Sequence, residues 1–247
     1  MKDSLRHFAA EFIGTFALVF VGAGAVVLTR FTGGQTGLLE QALASGLIVA
    51  VMVSALMRIS GHFNPAVTIG FIATRRIELT MAGVYIVAQL LGAMVAAYAL
   101  KAVTPMDAFE TVRGGAHSAS IDVSFWKAVT MEAIATFFLV TVIFGTAVDP
   151  KAPKVGGLPI GFSVAAGMLA IGAFTGGSLN PARTFGPAVA AGYWEGHFIY
   201  WLGPIVGAVL AGCHPRPGIE HIHANVDILL CVALDRVEAR SIAPDQL

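Results

Sequence analysis

His62-Phe-Asn-Pro-Ala-Val67 and Ser178-Leu-Asn-Pro-Ala-Arg183 are one short phrase written twice, and the rest of the chain is arranged around them. Asn is a favoured helix N-cap, because its side-chain oxygen accepts a first-turn backbone N–H. Pro at the next position has no N–H to leave unsatisfied and presets the helical φ. Each phrase therefore starts a helix. The apolar pieces that follow, Asn64–Ala73 and Asn180–Ala191, are too short to cross roughly 30 Å of hydrocarbon, which takes about 20 residues. Gly61, Gly176 and Gly177 precede the helix starts and suit an irregular descending segment. Such backbone survives at membrane depth only where protein or a water-filled cavity satisfies it.

Outward from the two phrases, a larger repeat emerges. Glu11-Phe-Ile-Gly-Thr-Phe16 and Glu132-Ala-Ile-Ala-Thr-Phe137 share the pattern E-x-x-x-T-F, each at the start of a long apolar stretch. Six stretches are long enough, or nearly so, to span: Phe8–Leu28, Leu38–Arg58, Leu79–Ala102, Phe125–Val148, Leu158–Phe174 and His197–Cys213, the last two being short. Each half reads span, span, Asn-Pro-Ala half-helix, span, with repeat 1 over about 8–102 and repeat 2 over about 125–213. Three crossings per half is odd, so the second copy lies upside down. The predicted fold is an all-α membrane protein of six transmembrane helices plus two re-entrant half-helices in an inverted repeat, with its functional site near the midplane.

Composition agrees. Of 247 residues, 56% are hydrophobic and 12% charged, with mean hydropathy +0.78; a soluble domain is about one-quarter charged. Net charge is zero, which gives nucleic acid no electrostatic footprint. Cys213 and Cys231 form neither a metal-ligand spacing nor a disulfide framework. The first apolar run lacks a small-residue cleavage site and reads as a retained span. Lys2, Arg6, Arg75, Arg76, Lys151, Lys154, Arg216, Arg236 and Arg240 lie outside alternate ends of the spans, whereas the other loops hold only Arg30, Lys101, Arg113 and Lys127. The excess of basic residues marks the cytoplasmic side and puts both termini there, in a multi-pass protein of the cell membrane.

By the inversion, the half-helices enter from opposite faces and bring their N-termini together. The two Asn amides then offer donors to a passing oxygen, and each helix end adds about half a positive charge. That field opposes cations and hydronium, and orients each water so that a proton wire is broken.

With both boxes, Ser60-Gly-His-Phe-Asn-Pro-Ala-Val-Thr68, Ala88-Gln-Leu-Leu-Gly-Ala93 and Asn180-Pro-Ala-Arg-Thr-Phe-Gly-Pro187, the chain resembles the aquaporin family, the major intrinsic proteins that include glycerol facilitators. The resemblance runs from about Glu11 to about Gly212. It implies one pore per subunit, bounded at the centre by Asn64, Pro65, Ala66, Asn180, Pro181 and Ala182, and assembly as a homotetramer with no cofactor. It also implies that Glu11 and Glu132 brace the irregular loops, as an intramembrane carboxylate needs partners. Arg183 falls at the outer constriction, donating to solute oxygens and repelling cations. Counting back from Asn180 adds Met168 and Gly177 to that filter. The second span contributes Ser45 if a one-residue gap before the first box is allowed, or Ala44 if it is ignored. Strict water channels typically place Phe and His at such sites, so Ser45, Met168, Gly177 and Arg183 are expected to form a wider, less polar filter. Thr184 replaces the Asp usual in glycerol facilitators, and Ala188, Tyr200 and Trp201 resemble the water-selective subgroup. The expected permeant is water, with leakage of small neutral solutes such as ammonia or glycerol; a glycerol facilitator of the same family is the alternative.

Two other classes fit poorly. His62, His117, His197, Glu11 and Glu132 could be acid–base or metal residues of an intramembrane enzyme, but they show no ligand spacing. A non-conducting structural protein leaves Arg183 and the asparagine pair without a purpose. Thr104–Val123 is expected to be an irregular outer loop, given Pro105, Gly114 and Gly115. The channel domain is expected over 1–214. After it, 215–247 reads as a divergent cytoplasmic tail of ordinary soluble composition, with His221, His223 and a weakly amphipathic Val226–Val237.

Overall fold

A computed structural model describes residues 2–213; the tail from Pro215, with His221, His223 and Val226–Val237, lies outside the described residues. The helices run, in chain order, α1 (Lys2–Phe31), α2 (Leu38–Leu56), α3 (Pro65–Ala73), α4 (Leu79–Val103), α5 (Met106–Thr111), α6 (Phe125–Ile143), α7 (Leu158–Thr175), α8 (Pro181–Ala191) and α9 (Ile199–Cys213). Five of them (α1, α2, α4, α6 and α7) are long and apolar enough to cross a membrane. The sixth span, α9, is apolar over its 15 described residues. The two short helices α3 and α8 are the half-helices, and the halves form an inverted repeat.

Several span boundaries shift by a few residues, while the fourth span ends at Val148 as expected. α1 begins at Lys2 rather than Phe8, because its polar first turns remain helical before the apolar run starts. The second span stops at Leu56, two residues before Arg58, and the chain turns through Ser60 into the first box. α6 closes on a π-turn, Phe144–Val148, which wedges Phe144 against Phe71 at 5.0 Å between ring centroids. The outer loop is not wholly irregular. It carries α5 and a 3₁₀ turn, Arg113–Gly115, and all three residues of that turn have positive φ.

Small residues set how the spans meet. A Cβ added to Gly46 on α2 would sit 2.5 Å from the Gly161 carbonyl oxygen on α7, so the two halves cross backbone to backbone. On α4, Gly92 meets the Phe12 carbonyl of α1 in the same way; on α9, Gly203 lies as close to Val129 of α6. These contacts pair first span with third in each half. The half-helices dock similarly: Gly70 of α3 faces the Ala208 carbonyl on α9, and Gly186 of α8 faces that of Ala93 on α4. Each half-helix thus seats through a glycine on the other half's third span, and the small residues decide how deep it sits.

The distribution of polarity is that of a lipid-facing protein. Leu47, Val51, Val95, Ile134, Phe138 and Phe162 point outward and exposed, while Glu11, Thr15, Gln89 and Glu132 are fully buried. Large apolar side chains on the outside cost nothing when the surroundings are lipid, whereas buried carboxylates must be paired.

Candidate pore and its constriction

At the centre, one local solution is used twice. Asn64 and Asn180 cap α3 and α8, with extended backbone and Pro at the first helical position. Asn64 Oδ1 accepts from Ala66 N at 2.9 Å, and Asn180 Oδ1 from Ala182 N at 2.9 Å and Arg183 N at 3.3 Å. Each amide then reaches across the repeat axis. Asn64 Nδ2 donates to the Leu179 carbonyl at 2.8 Å, and Asn180 Nδ2 donates to the Phe63 carbonyl at 2.8 Å. An amide nitrogen carries two hydrogens. One of each pair is spent on this crossing bond, which leaves the other to face the passage.

Phe63 and Leu179, the residues just before the two asparagines, both hold left-handed φ, 48° and 55°. For non-glycine residues this costs about 1–2 kcal/mol each, so something must hold them there. The two glutamates do. Glu11 accepts from His62 N (2.8 Å), Phe63 N (2.7 Å), Gln89 Nε2 (2.7 Å) and the Ser60 hydroxyl. Glu132 accepts from Ser178 N (2.9 Å), Leu179 N (2.7 Å) and Thr175 Oγ1 (2.7 Å). Backbone N–H groups that a descending loop leaves unpaired thus find a buried carboxylate in each half.

A cavity lies beside this centre. Asn64 and Asn180 line it together with His62, Ser178, Arg183 and an apolar wall that includes Leu18, Val49, Val67, Leu139, Ile143 and Val164. Few polar atoms on an otherwise greasy wall give a passing molecule something to bind at intervals without holding it fast.

Next to the cavity, Arg183 is 4% exposed and almost wholly engaged. Its Nη1 donates to the Gly177 carbonyl at 2.9 Å and to His117 Nε2, and its Nη2 lies 3.6 Å from Met168 Sδ. Ser45 is fully buried and approaches the Nε side of the guanidinium: a Cβ added to Gly22 would be 2.9 Å from Ser45 Oγ and 3.6 Å from Arg183 Nε. Ala44, the other candidate on α2, is only half-buried. Met168, Gly177 and Ser45 therefore gather around Arg183. Gly177 could not be replaced, since its φ is 61° and an added Cβ would fall 2.9 Å from Met168 Cα.

His117, which in the sequence stands only among the conceivable acid–base or metal residues of an enzyme, lies in the outer loop Thr104–Val123. The turn after α5 brings it against Arg183, 66 residues further along the chain, where it is buried and packs 5.3 Å from the Tyr200 ring. Its signal in the sequence was weak: a histidine after a Gly-Gly pair, with nothing to say where the loop folds. An imidazole thus enters from the loop. The expectation of a wider and less polar surround for Arg183 had left it out.

Chemistry fixes the direction of the resulting hydrogen-bond chain. Arginine can only donate, so His117 Nε2 must be the accepting nitrogen and Nδ1 must carry the proton. Nδ1 therefore donates to Thr184 Oγ1 at 3.1 Å, Thr184 donates to Ser178 Oγ at 2.6 Å, and Ser178 donates to the Asn180 carbonyl at 2.8 Å. Burial, then the charges of Arg183 and His197, holds the His117 pKa well below the usual histidine value, which keeps the ring neutral as the chain requires. Thr184 thereby gains a physical role: an acid at that position would have to accept where Thr184 both accepts and donates.

Among the described residues, no three His, Cys, Asp or Glu side chains gather as a metal site. Two inverted triplets of spans, closed at the middle by paired half-helix N-termini, define a polytopic membrane protein of the channel class. The chain belongs to the major intrinsic protein family, whose sequence pattern it matches over residues 1–214. It is 44% identical over 217 residues to aquaporin TIP4-4 of Zea mays, covering 84% of this chain and 84% of that one. To probable aquaporin TIP1-2 of Oryza sativa subsp. japonica it is 45% identical over 218 residues, covering 85% and 84%. Its fold is similar to the X-ray structure of the aquaglyceroporin from Plasmodium falciparum, with a TM-score of 0.72, 29% identity, and coverage of 85% of this chain and 94% of that one.

Proposed function

We propose that this protein is a passive channel that conducts water along osmotic gradients and excludes protons and ions. The reading rests on one observation above others: the reciprocal Asn64 and Asn180 amides line the same cavity, at the positive ends of two opposed half-helices. Aquaporin-type pores are the standing example of selectivity set by diameter, lining donors and the positive ends of half-helices. A water at the centre accepts from the asparagines, so both its own hydrogens point away along the passage and no proton can be handed through. Arg183 adds a full positive charge at the constriction. The filter consists of Ser45, Met168, Gly177 and Arg183, with His117 as a fifth member.

Stopped-flow light scattering on proteoliposomes tests this. Osmotic shrinkage faster than in empty vesicles is expected, and shrinkage at the empty-vesicle rate rejects it. Ammonia and glycerol are secondary permeants in this reading, because Ser45 offers only a hydroxymethyl group where bulk would narrow the passage. A glycerol flux that outruns water would favour the facilitator alternative.

Both chain ends belong on the cytoplasmic side, supported by the clustering of Arg6, Arg75, Arg76, Lys151 and Lys154 against sparse basic residues in the opposite loops. Protease access to a terminal tag in oriented vesicles decides it. A homotetramer is the assembly we expect from the family, and the mass of the detergent-extracted particle tests it.

A further inference from the structure

Arg30, Lys101, Arg113 and Lys127 lie in the loops away from the basic clusters, and two of them, Lys101 and Arg113, converge on the C-terminal end of α8. Lys101, in the last turn of α4, donates from Nζ to the Ala190 carbonyl at 3.1 Å and stands 5.6 Å from the centroid of the Phe109 ring on α5. Arg113 lays its guanidinium over the Tyr193 ring, with Cζ 3.9 Å from the centroid. Tyr193 is itself fixed to α8. The helix stops at left-handed Gly192, and the Tyr193 N–H turns back to the Ala188 carbonyl at 3.0 Å. Cations suit this end of a helix, where the last carbonyls lack partners.

The turn that Arg113 opens leads directly to the filter. Arg113 holds a left-handed φ of 52°, unfavourable for any residue but glycine, and Gly114 and Gly115 follow at 59° and 80°. A turn of that hand persists only where contacts keep it. Its glycines are seated by packing: a Cβ on Gly114 would run into the Phe109 ring, and one on Gly115 would stand 3.0 Å from Ala23 Cβ of α1. Arg113 is exposed, and the contact that keeps it is the Tyr193 ring. The Ala116 N–H then closes the turn on the Arg113 carbonyl at 3.0 Å, and the next residue is His117, which meets Arg183 and Thr184 in the first turn of α8. The outer loop is thus fastened to one helix twice, at its last carbonyls and at its start.

We propose that Arg113 is a positioning residue for the filter: stacked on Tyr193, it clasps the outer loop to the C-terminal end of α8 and so sets His117 against Arg183. Neither Arg113 nor Tyr193 lines the cavity, so the pair acts through the imidazole. The inference rests on the proposed filter, with His117 as its fifth member, for its effect on transport but not for its geometry.

The experiment has two arms. The first measures the glycerol-to-water permeability ratio in proteoliposomes. Arg113→Ala is expected to raise it about twofold, the weight of one exposed cation–π contact, and Tyr193→Leu to raise it alike. Arg113→Lys, which keeps a cation for the ring, should hold the wild-type ratio. In a His117→Ala background, Arg113→Ala should change nothing further, because its effect passes through the imidazole. An Arg113→Ala ratio equal to the wild type overturns the proposal; so does a rise of the same size without His117, or one that Arg113→Lys shares. The second arm reads the clasp without transport, by NMR of the imidazole nitrogens above the ordinary histidine range of pH. His117, assigned by the signal that His117→Ala lacks, should be a single Nδ1-protonated tautomer in the wild type and a mixture in Arg113→Ala. One unchanged tautomer in Arg113→Ala overturns the proposal. If the wild type passes no water at all, the transport reading falls, and the NMR arm alone judges the clasp.

Discussion

Asn64 and Asn180 each donate to the carbonyl that precedes the other asparagine, at 2.8 Å in both directions. The bonds are reciprocal because the halves are inverted: Phe63 and Leu179 occupy equivalent places and share a left-handed φ. Each asparagine therefore does three things at once. It caps its own helix, pins the opposite loop, and keeps one amide hydrogen for the passage.

That equivalence predicts matched penalties. Asn64→Ala and Asn180→Ala should each cost roughly 2 kcal/mol, the sum of a lost N-cap and an unpaired buried carbonyl. Thermal unfolding in detergent should show similar drops for the two variants. A large drop for one and none for the other would mean that the loops are held by something else.

The glutamates should be less forgiving. Glu132 accepts from Thr175, Ser178 and Leu179, all from one short stretch. Glu132→Gln turns an acceptor oxygen into a donor facing N–H groups, and about 3 kcal/mol should be lost. Glu11→Gln should behave alike, since its partners differ only in the addition of Gln89. Yield of folded protein after gel filtration measures both; a glutamine variant as stable as the wild type would contradict the bracing role.

Removing the imidazole separates size from charge at the constriction. His117→Ala leaves Arg183 in place, with its Nη1 bonded only to the Gly177 carbonyl, and leaves Thr184 with one partner fewer. Glycerol and ammonia permeability should rise relative to water, by several-fold. Thr184→Val, which breaks the same chain one link away, should shift the ratio in the same direction by less. Identical solute ratios in wild type and His117→Ala would remove His117 from the filter.

The depressed pKa of His117 also fixes a pH dependence. Because the native state holds the ring neutral, the unfolded chain binds more protons below about pH 6.5, the ordinary histidine value. Stability attributable to this group is thus intact above that pH and declines as pH falls below it. A protonated Nε2 could no longer accept from Arg183, and two positive charges would abut. Water permeability should be flat from pH 6.5 to 8 with respect to this group and change only on further acidification, measured against His117→Ala as the control. A histidine-dependent step near neutral pH would contradict the neutral ring.

Much of the architecture is readable from residue type and spacing. One Asn-Pro inside apolar sequence is as compatible with a kink or loop as with a helix start; two copies at equivalent places in matching repeats of three spans fix the reading and force the inversion. Arg183, alone among basic residues between Lys154 and Arg216, marked itself by being out of place in such surroundings. Helix ends are less legible, as at Lys2 and Leu56, because fraying and extension depend on what the termini meet.

What the sequence determined by itself is therefore periodic and local: which segments span, where the half-helices begin, and that the halves oppose each other. Apolar length and capping chemistry are properties of a few neighbouring residues, and they hold wherever the chain is placed. The tertiary structure alone decided who stands beside Arg183. His117 comes from a loop 66 residues away, and Ser45 rather than Ala44 turns inward by the rotation of one helix. Contacts of that kind depend on helix rotation and loop path, which are set by the packing of the whole bundle and leave no pattern along the chain.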